Sequence, residues 1–104
     1  MRRSEIKTID INTKTWFDKI NGNTYFAQEI VINYAQRNER RVINRFQYGY
    51  SSFRHFAFAR ITEALGLRKP LGSVWGAKLP IIRENLQRGC KKRELMAISC
   101  LTEY

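Results

Sequence analysis

Asn21-Gly22-Asn23 constrains the fold more than any other stretch of the chain. An Asn-Gly pair accepts positive φ at little cost, and between two β-prone runs it reads as a hairpin turn. Before it stands TKTWFDKI (13–20), whose Thr, Trp and Phe favour strands. After it stands TYFAQEIVINYA (24–35), a long alternating run. Phe26, Gln28, Ile30, Ile32 and Tyr34 share one face of that run; Tyr25, Ala27, Glu29, Val31 and Asn33 share the other. The first face is expected to be buried, with Gln28 near an edge. IKTIDIN (6–12) is a weaker alternation of the same kind. Gln36 to Glu39 form a polar turn, and RRVINRFQ (40–47) resumes the alternation with Val42, Asn44 and Phe46 on its inward side. Residues 13–47 therefore predict a three-stranded antiparallel meander.

Past Gly49 the period changes. Ser51 or Ser52 is a candidate N-cap, and Phe53, Phe56, Ala57, Ile61, Ala64 and Leu65 recur at spacings of three and four along one helical stripe. Gly66 stands where a helix ends in a left-handed residue. Arg68, Lys69, Pro70 and Gly72 read as a basic loop, with Trp75 and Ala77 in an irregular stretch beyond it. LPIIRENLQR (79–88) reads as a short helix opened by Pro80 and closed by Gly89, with Ile82 and Leu86 inward. CKKRELMAISCLTEY (90–104) suits either a helix or a strand, and the expectation is a strand closing an edge of the sheet. The whole, 1–104, reads as a single compact domain of α+β class. It has a small antiparallel sheet of three to five strands, one main helix packed on it and a short second helix.

FQYGYSSFRHFAFAR (46–60) is dense in rings. The helical stripe takes Phe53 and Phe56 for the core, and the strand takes Phe46. Tyr48 and Tyr50, either side of Gly49, fall outside both patterns. They are candidates for stacking on bases; the alternative is packing on the turn and sheet edge with hydroxyls in water. Phe58 is also off the stripe and is a candidate for a dimer interface or a partner groove.

Nineteen Lys and Arg stand against nine Asp and Glu, a formal net charge of +10, and twelve of the nineteen are Arg. An excess of that size repels itself in the compact state, and its commonest use in a small domain is nucleic acid. Arg37, Arg40 and Arg41 gather at one turn, with Arg45 further along and Arg54 in the helix. Arg68, Lys69 and Lys78 follow the helix; Arg88, Lys91, Lys92 and Arg93 form a third group. Each group alone is an ordinary solvated face. Converged, they would hold several phosphates and make binding steeply salt-dependent.

No catalytic or metal signature is present. The carboxylates are scattered, His55 is the only histidine, and Cys90 and Cys100 do not form a C-x-x-C pair. The expectation is a non-enzyme with no cofactor, no metal and two reduced thiols. No apolar run is long enough to span a bilayer, and the first residues lack an apolar h-region, so a cytoplasmic protein is expected.

TKTWFDKINGNTYFAQEIVIN and FQYGYSSFRHFAFARI, within residues 6–65, resemble a group of small uncharacterised bacteriophage and prophage proteins. These share the Trp/Phe, Asn-Gly, Tyr/Phe hairpin and the Phe-Gln-Tyr-Gly-Tyr turn into a helix. The resemblance implies a phage origin and supplies no active site. The β-β-β-α order is similar to part of the double-stranded-RNA-binding domain, but the helix start SSFRHF lacks a Lys-Lys run and no helix leads the strands.

Two functions follow as expectations. One is a small basic protein that binds DNA or RNA, the type being open. Its contacts would be Arg37, Arg40, Arg41, Arg45, Tyr48, Tyr50, Arg54, Arg68, Lys69, Lys91, Lys92 and Arg93. The other is a phage accessory protein that binds and inhibits a host protein, such as an acidic one or a defence or nucleic-acid-handling complex. A homodimer through an open sheet edge is compatible with either.

Overall fold

A computed structural model of the chain describes residues 6–34, 38–49, 53–66 and 81–104. In chain order these form β1 (Ile6–Asp18), β2 (Asn23–Tyr34), β3 (Glu39–Tyr48), α1 (Phe53–Ala64), β4 (Ile81–Gln87) and α2 (Lys92–Ser99). The expected α+β fold is present. The strands make one sheet in the order β3-β2-β1-β4, with a helix on each face.

The two N-terminal runs, 6–12 and 13–20, are one strand that ends at Asp18, because β2 supplies a partner along the whole of β1, from Ile6↔Tyr34 to Asp18↔Asn23. The Asn-Gly hairpin is a four-residue loop, Lys19 to Gly22. The Asp18 carboxylate accepts the Ile20 N–H at 3.0 Å and the Asn21 side-chain amide at 2.8 Å. Gly22 takes φ 69°, the conformation for which the glycine is needed.

Two expectations are corrected. Residues 81–87 form β4, not a helix, and pair in parallel with β1 from Thr8↔Ile81 to Lys14↔Gln87, which makes the sheet mixed. β1 offers an unpaired edge, and ladder bonds along it outweigh the weak helical preference of Arg-Glu-Asn-Leu-Gln. Residues 92–99 form α2, not an edge strand. Leu95 and Ile98, three apart, are buried together against the sheet, which only a helix allows.

On the first sheet face the core contains Ile9, Ile11, Ile30, Ile32 and Val42 beneath Ala57 and Ile61 of α1. Phe26 packs with Phe53 and Phe56 at ring-centroid distances of 5.2 and 5.0 Å. Phe58 and Leu65 pack against this core rather than standing clear of it. Gly66, at φ 66°, ends α1 as its sequence predicts.

Gln28 is fully buried, not near an edge. It lies mid-sheet between Thr13 and Asn44 and is satisfied by both. Its amide donates to Thr13 Oγ1 at 3.0 Å and to the Phe53 carbonyl at 2.8 Å, and its Oε1 accepts from Asn44 at 2.6 Å.

The second face is built in rows set by the register. Arg83, Asp10, Val31 and Arg41 form one row; Asn85, Asn12, Glu29 and Ile43 the next; then Gln87, Lys14 and Ala27; then Trp16, Tyr25 and Tyr48. Between the pairs Phe26↔Gln47 and Gln28↔Asn44 the register slips by one, so Arg45 and Phe46 together oppose Ala27. This bulge corrects the placing of Phe46. It turns away from Val42 and Asn44 and joins Trp16 and Tyr25 under α2.

Candidate functional site

The bulge and the hairpin register assemble an aromatic row across one end of the second face. Trp16 and Tyr25 are directly paired, with centroids 5.6 Å apart. Tyr25 and Phe46 stack at 4.9 Å with planes 9° apart. Tyr48 meets Tyr25 edge-on at 6.1 Å and is 57% exposed. Trp16, Tyr25 and Phe46 are half-buried, with α2 over part of the row.

α2 delivers cations to these rings. The Lys92 ammonium lies 5.8 Å from the Trp16 ring centre and 5.9 Å from that of Phe46, within cation–π range. Lys91 and Arg93 flank it, exposed. Arg88 is exposed just ahead of α2, and Arg45, exposed, is the neighbour of Phe46 in the bulge. None of these five makes an ion pair among the described residues. The start of α2 is fixed by Glu94, whose carboxylate accepts the Lys91 N–H at 2.7 Å and stands 3.7 Å from Lys14. That hydrogen bond, with Lys14 nearby, holds the Glu94 carboxyl below the usual range. Asp18, at the end of β1, is lowered by the Asn21 amide, the turn N–H groups and the charge of Lys92. It therefore stays ionised as part of the loop.

The remaining candidates divide. Arg41 is committed: it pairs with Glu29 at 3.3 Å, donates to the Thr102 carbonyl at 2.9 Å and lies 4.7 Å over the Tyr104 ring. Arg54 pairs with Glu84 of β4 at 3.7 Å and covers Phe58 at 5.0 Å. Arg40 pairs with Ile32 in register and so belongs to the first sheet face, opposite to Arg41. Arg37, Tyr50, Arg68, Lys69 and Lys78 lie outside the described residues, as do Ser51, Ser52, Pro70, Gly72, Trp75, Ala77 and Pro80 and the first half of the 36–39 turn. The structure thus brings together Arg45, Tyr48, Lys91, Lys92 and Arg93.

Trp16, Tyr25 and Phe46 are the residues missed as site members. The strand runs either side of the turn put Trp16 and Tyr25 on neighbouring strands, but their exact pairing depends on the four-residue loop, since a two-residue Asn21-Gly22 turn would set Trp16 opposite Ala27. The bulge that brings in Phe46 had none.

Both cysteines are free, Cys90 half-buried beside the aromatic cluster and Cys100 exposed. Among the described residues no group of His, Cys, Asp or Glu is placed to hold a metal, and no helix is long and apolar enough to cross a membrane. No family model, curated protein or solved structure matches the chain.

Proposed function

We propose that the protein binds single-stranded nucleic acid across the end of the sheet where α2 meets the aromatic row. The observation that carries this reading is the row itself. Flat rings from three strands stand side by side, topped by the Lys92 ammonium and bordered by Lys91, Arg93, Arg88 and Arg45. A base stacks on the exposed Tyr48 and continues the row, and the phosphates either side fall to the cations. Stacking of this kind contributes roughly 1–3 kcal/mol per base and tolerates any base. A duplex keeps its base faces inside the helix and presents only phosphates here. A phage origin belongs to the same proposal and rests on the sequence resemblance, and a cytoplasmic setting within the host goes with it.

Fluorescence anisotropy with short labelled DNA and RNA, single- and double-stranded, over a range of salt tests it. Single strands bind more tightly than duplex, Tyr48→Ala weakens them by about five- to hundredfold, and Lys92→Glu with Arg93→Glu flattens the salt slope. Equal, weak binding of every form, lost near physiological salt, overturns the reading. In that case a complex from host lysate that survives nuclease would assign the same surface to an acidic protein.

A further inference from the structure

One to two rows along β1 from Trp16, on the same face, the sheet and α2 border an open-mouthed cavity of about 290 Å³. Asn12, Lys14, Glu29, Asn85 and Gln87 line it, and Ile98 of α2 forms an apolar wall. Its size suits one small planar ligand rather than a drug-sized one.

The polar groups are only partly used. The Asn85 amide donates to Asn12 Oδ1 at 3.0 Å, which leaves both Asn12 amide protons and the Asn85 carbonyl free to bond. Gln87 makes no side-chain hydrogen bond among the described residues. Glu29 accepts from Arg41 on one lone pair of Oε2 at 3.3 Å, which leaves the other lone pair of Oε2 and both of Oε1 to accept. Lys14 stands 3.7 Å from Glu94, a loose pairing that leaves it protons to donate. The cavity therefore presents mixed donors and acceptors against one apolar wall, the complement of the edge and face of a nucleobase.

Resting on the single-strand reading above, we infer that this cavity takes one base of the bound strand, and that the base is guanine. The choice follows from Glu29. A carboxylate accepts well from two adjacent N–H donors, and guanine alone offers these, at N1 and N2. Its O6 is an acceptor for the Lys14 ammonium. Adenine and cytosine each bring one amino group beside an acceptor nitrogen, and uracil or thymine sets its lone N–H between two carbonyls that the carboxylate repels. The aromatic row then supplies affinity for any strand, and the cavity adds a preference at one position. Lys14 is two residues from Trp16 on β1 and the Asn12–Glu29 row is four, roughly 7 to 13 Å, so a nucleotide one or two places along the strand reaches the cavity.

The test uses labelled oligothymidylate and oligouridylate, each beside versions with one central guanine, adenine or cytosine. The guanine-containing strand binds about tenfold more tightly than the unsubstituted tract, with adenine and cytosine between. Glu29→Gln brings that ratio close to one, and so does Asn85→Ala with Gln87→Ala, on the exposed strand β4. Side-chain amide resonances of Asn12, Asn85 and Gln87 shift with guanosine monophosphate and not with uridine monophosphate. Equal affinity for all four strands, with Tyr48→Ala still weakening each, overturns the cavity inference and leaves the single-strand reading standing. A guanine preference that Glu29→Gln leaves unchanged also overturns it. No strand bound at physiological salt removes both.

Discussion

Gln28 shows how one residue ties the two halves of the fold. Its amide reaches Thr13 on β1 and the Phe53 carbonyl at the start of α1, and its oxygen receives Asn44, which in turn donates to the Phe56 carbonyl at 3.2 Å. The sheet thus grips the first turns of α1 through polar groups inside an apolar layer. Gln28→Leu leaves the Asn44 amide and the Thr13 hydroxyl short of a partner in a dry site, and the expected cost is about 1–3 kcal/mol. Urea denaturation measures it, and a loss under about 0.5 kcal/mol would show that the neighbours re-pair. Gly49 imposes a different constraint. A Cβ there would run into the Phe26 ring, and the Gly49 N–H holds the Thr24 carbonyl at 3.0 Å. Gly49→Ala therefore forces Phe26 off Phe53 and Phe56, at about 1–3 kcal/mol of overpacking, and the same denaturation series reads it. Sequence pattern put Gln28 on the right face and misjudged its depth. Polarity suggested an edge, but a glutamine whose neighbours are Thr13 and Asn44 is satisfied where an isolated one is not.

Among the elements, the tail after α2 has a task that alternation does not reveal. Arg41 and Tyr104 exchange backbone hydrogen bonds at 2.9 and 3.1 Å, so the last residues close part of the outer edge of β3. Arg60 holds Glu103 at 2.6 Å, and the Tyr104 hydroxyl donates to Glu39. Deleting 102–104 removes both backbone bonds, worth about 1–3 kcal/mol together, and speeds amide exchange at Arg41. That phenol–carboxylate bond, chiefly, raises the Tyr104 hydroxyl above the ordinary tyrosine range. A raised folded value means the stabilisation is complete below the ordinary value and is lost as pH climbs through the raised one. The stability gap between the native chain and Tyr104→Phe accordingly closes in that alkaline window, read from urea midpoints.

The legibility of the other elements follows from parity. β2 and α1 were readable because one period alone fits each. Ile82 and Leu86, four apart, fit a helical stripe and a strand face equally, so the pattern could not separate β4 from a helix. Leu95 and Ile98, three apart, fit a helix alone, but Met96, Ile98 and Cys100 also alternate as one face of a strand would, and that pattern favours a strand. In the structure Met96 and Cys100 are exposed. A bulge changes parity without changing composition, so the stack of Phe46 on Tyr25 is invisible in the sequence.

At the scale of the whole molecule the governing quantity is the charge of +10. The five cations around the aromatic row form no ion pair among the described residues, and the charges of Asp18 near Lys92 and Glu94 beside Arg93 offset them only in part, which costs the folded chain stability when nothing is bound. Salt then acts with opposite signs on folding and on binding. Raising it from about 20 to about 300 mM shortens the screening length well below the span of the cluster. The melting temperature of the free protein is expected to rise by a few degrees, while its affinity for a single strand falls on a log–log slope set by the phosphates engaged. Lys92→Glu with Arg93→Glu diminishes both effects, because the same charges cause them. Acid works in the other direction on the free chain. Asp18 and Glu94 have carboxyls lowered by the hydrogen bonds of their own turns. Their contribution is present above the ordinary carboxylate value, roughly 4, and is lost as pH falls through the lowered ones. Protonating them also deepens the positive excess, so unfolding by acid should be steeper at low salt. Thermal melts over a grid of pH and salt read both predictions. A melting temperature that falls with added salt at neutral pH would show that the clustered cations are already compensated within the fold, and would remove the energetic reason for this surface to seek a polyanion.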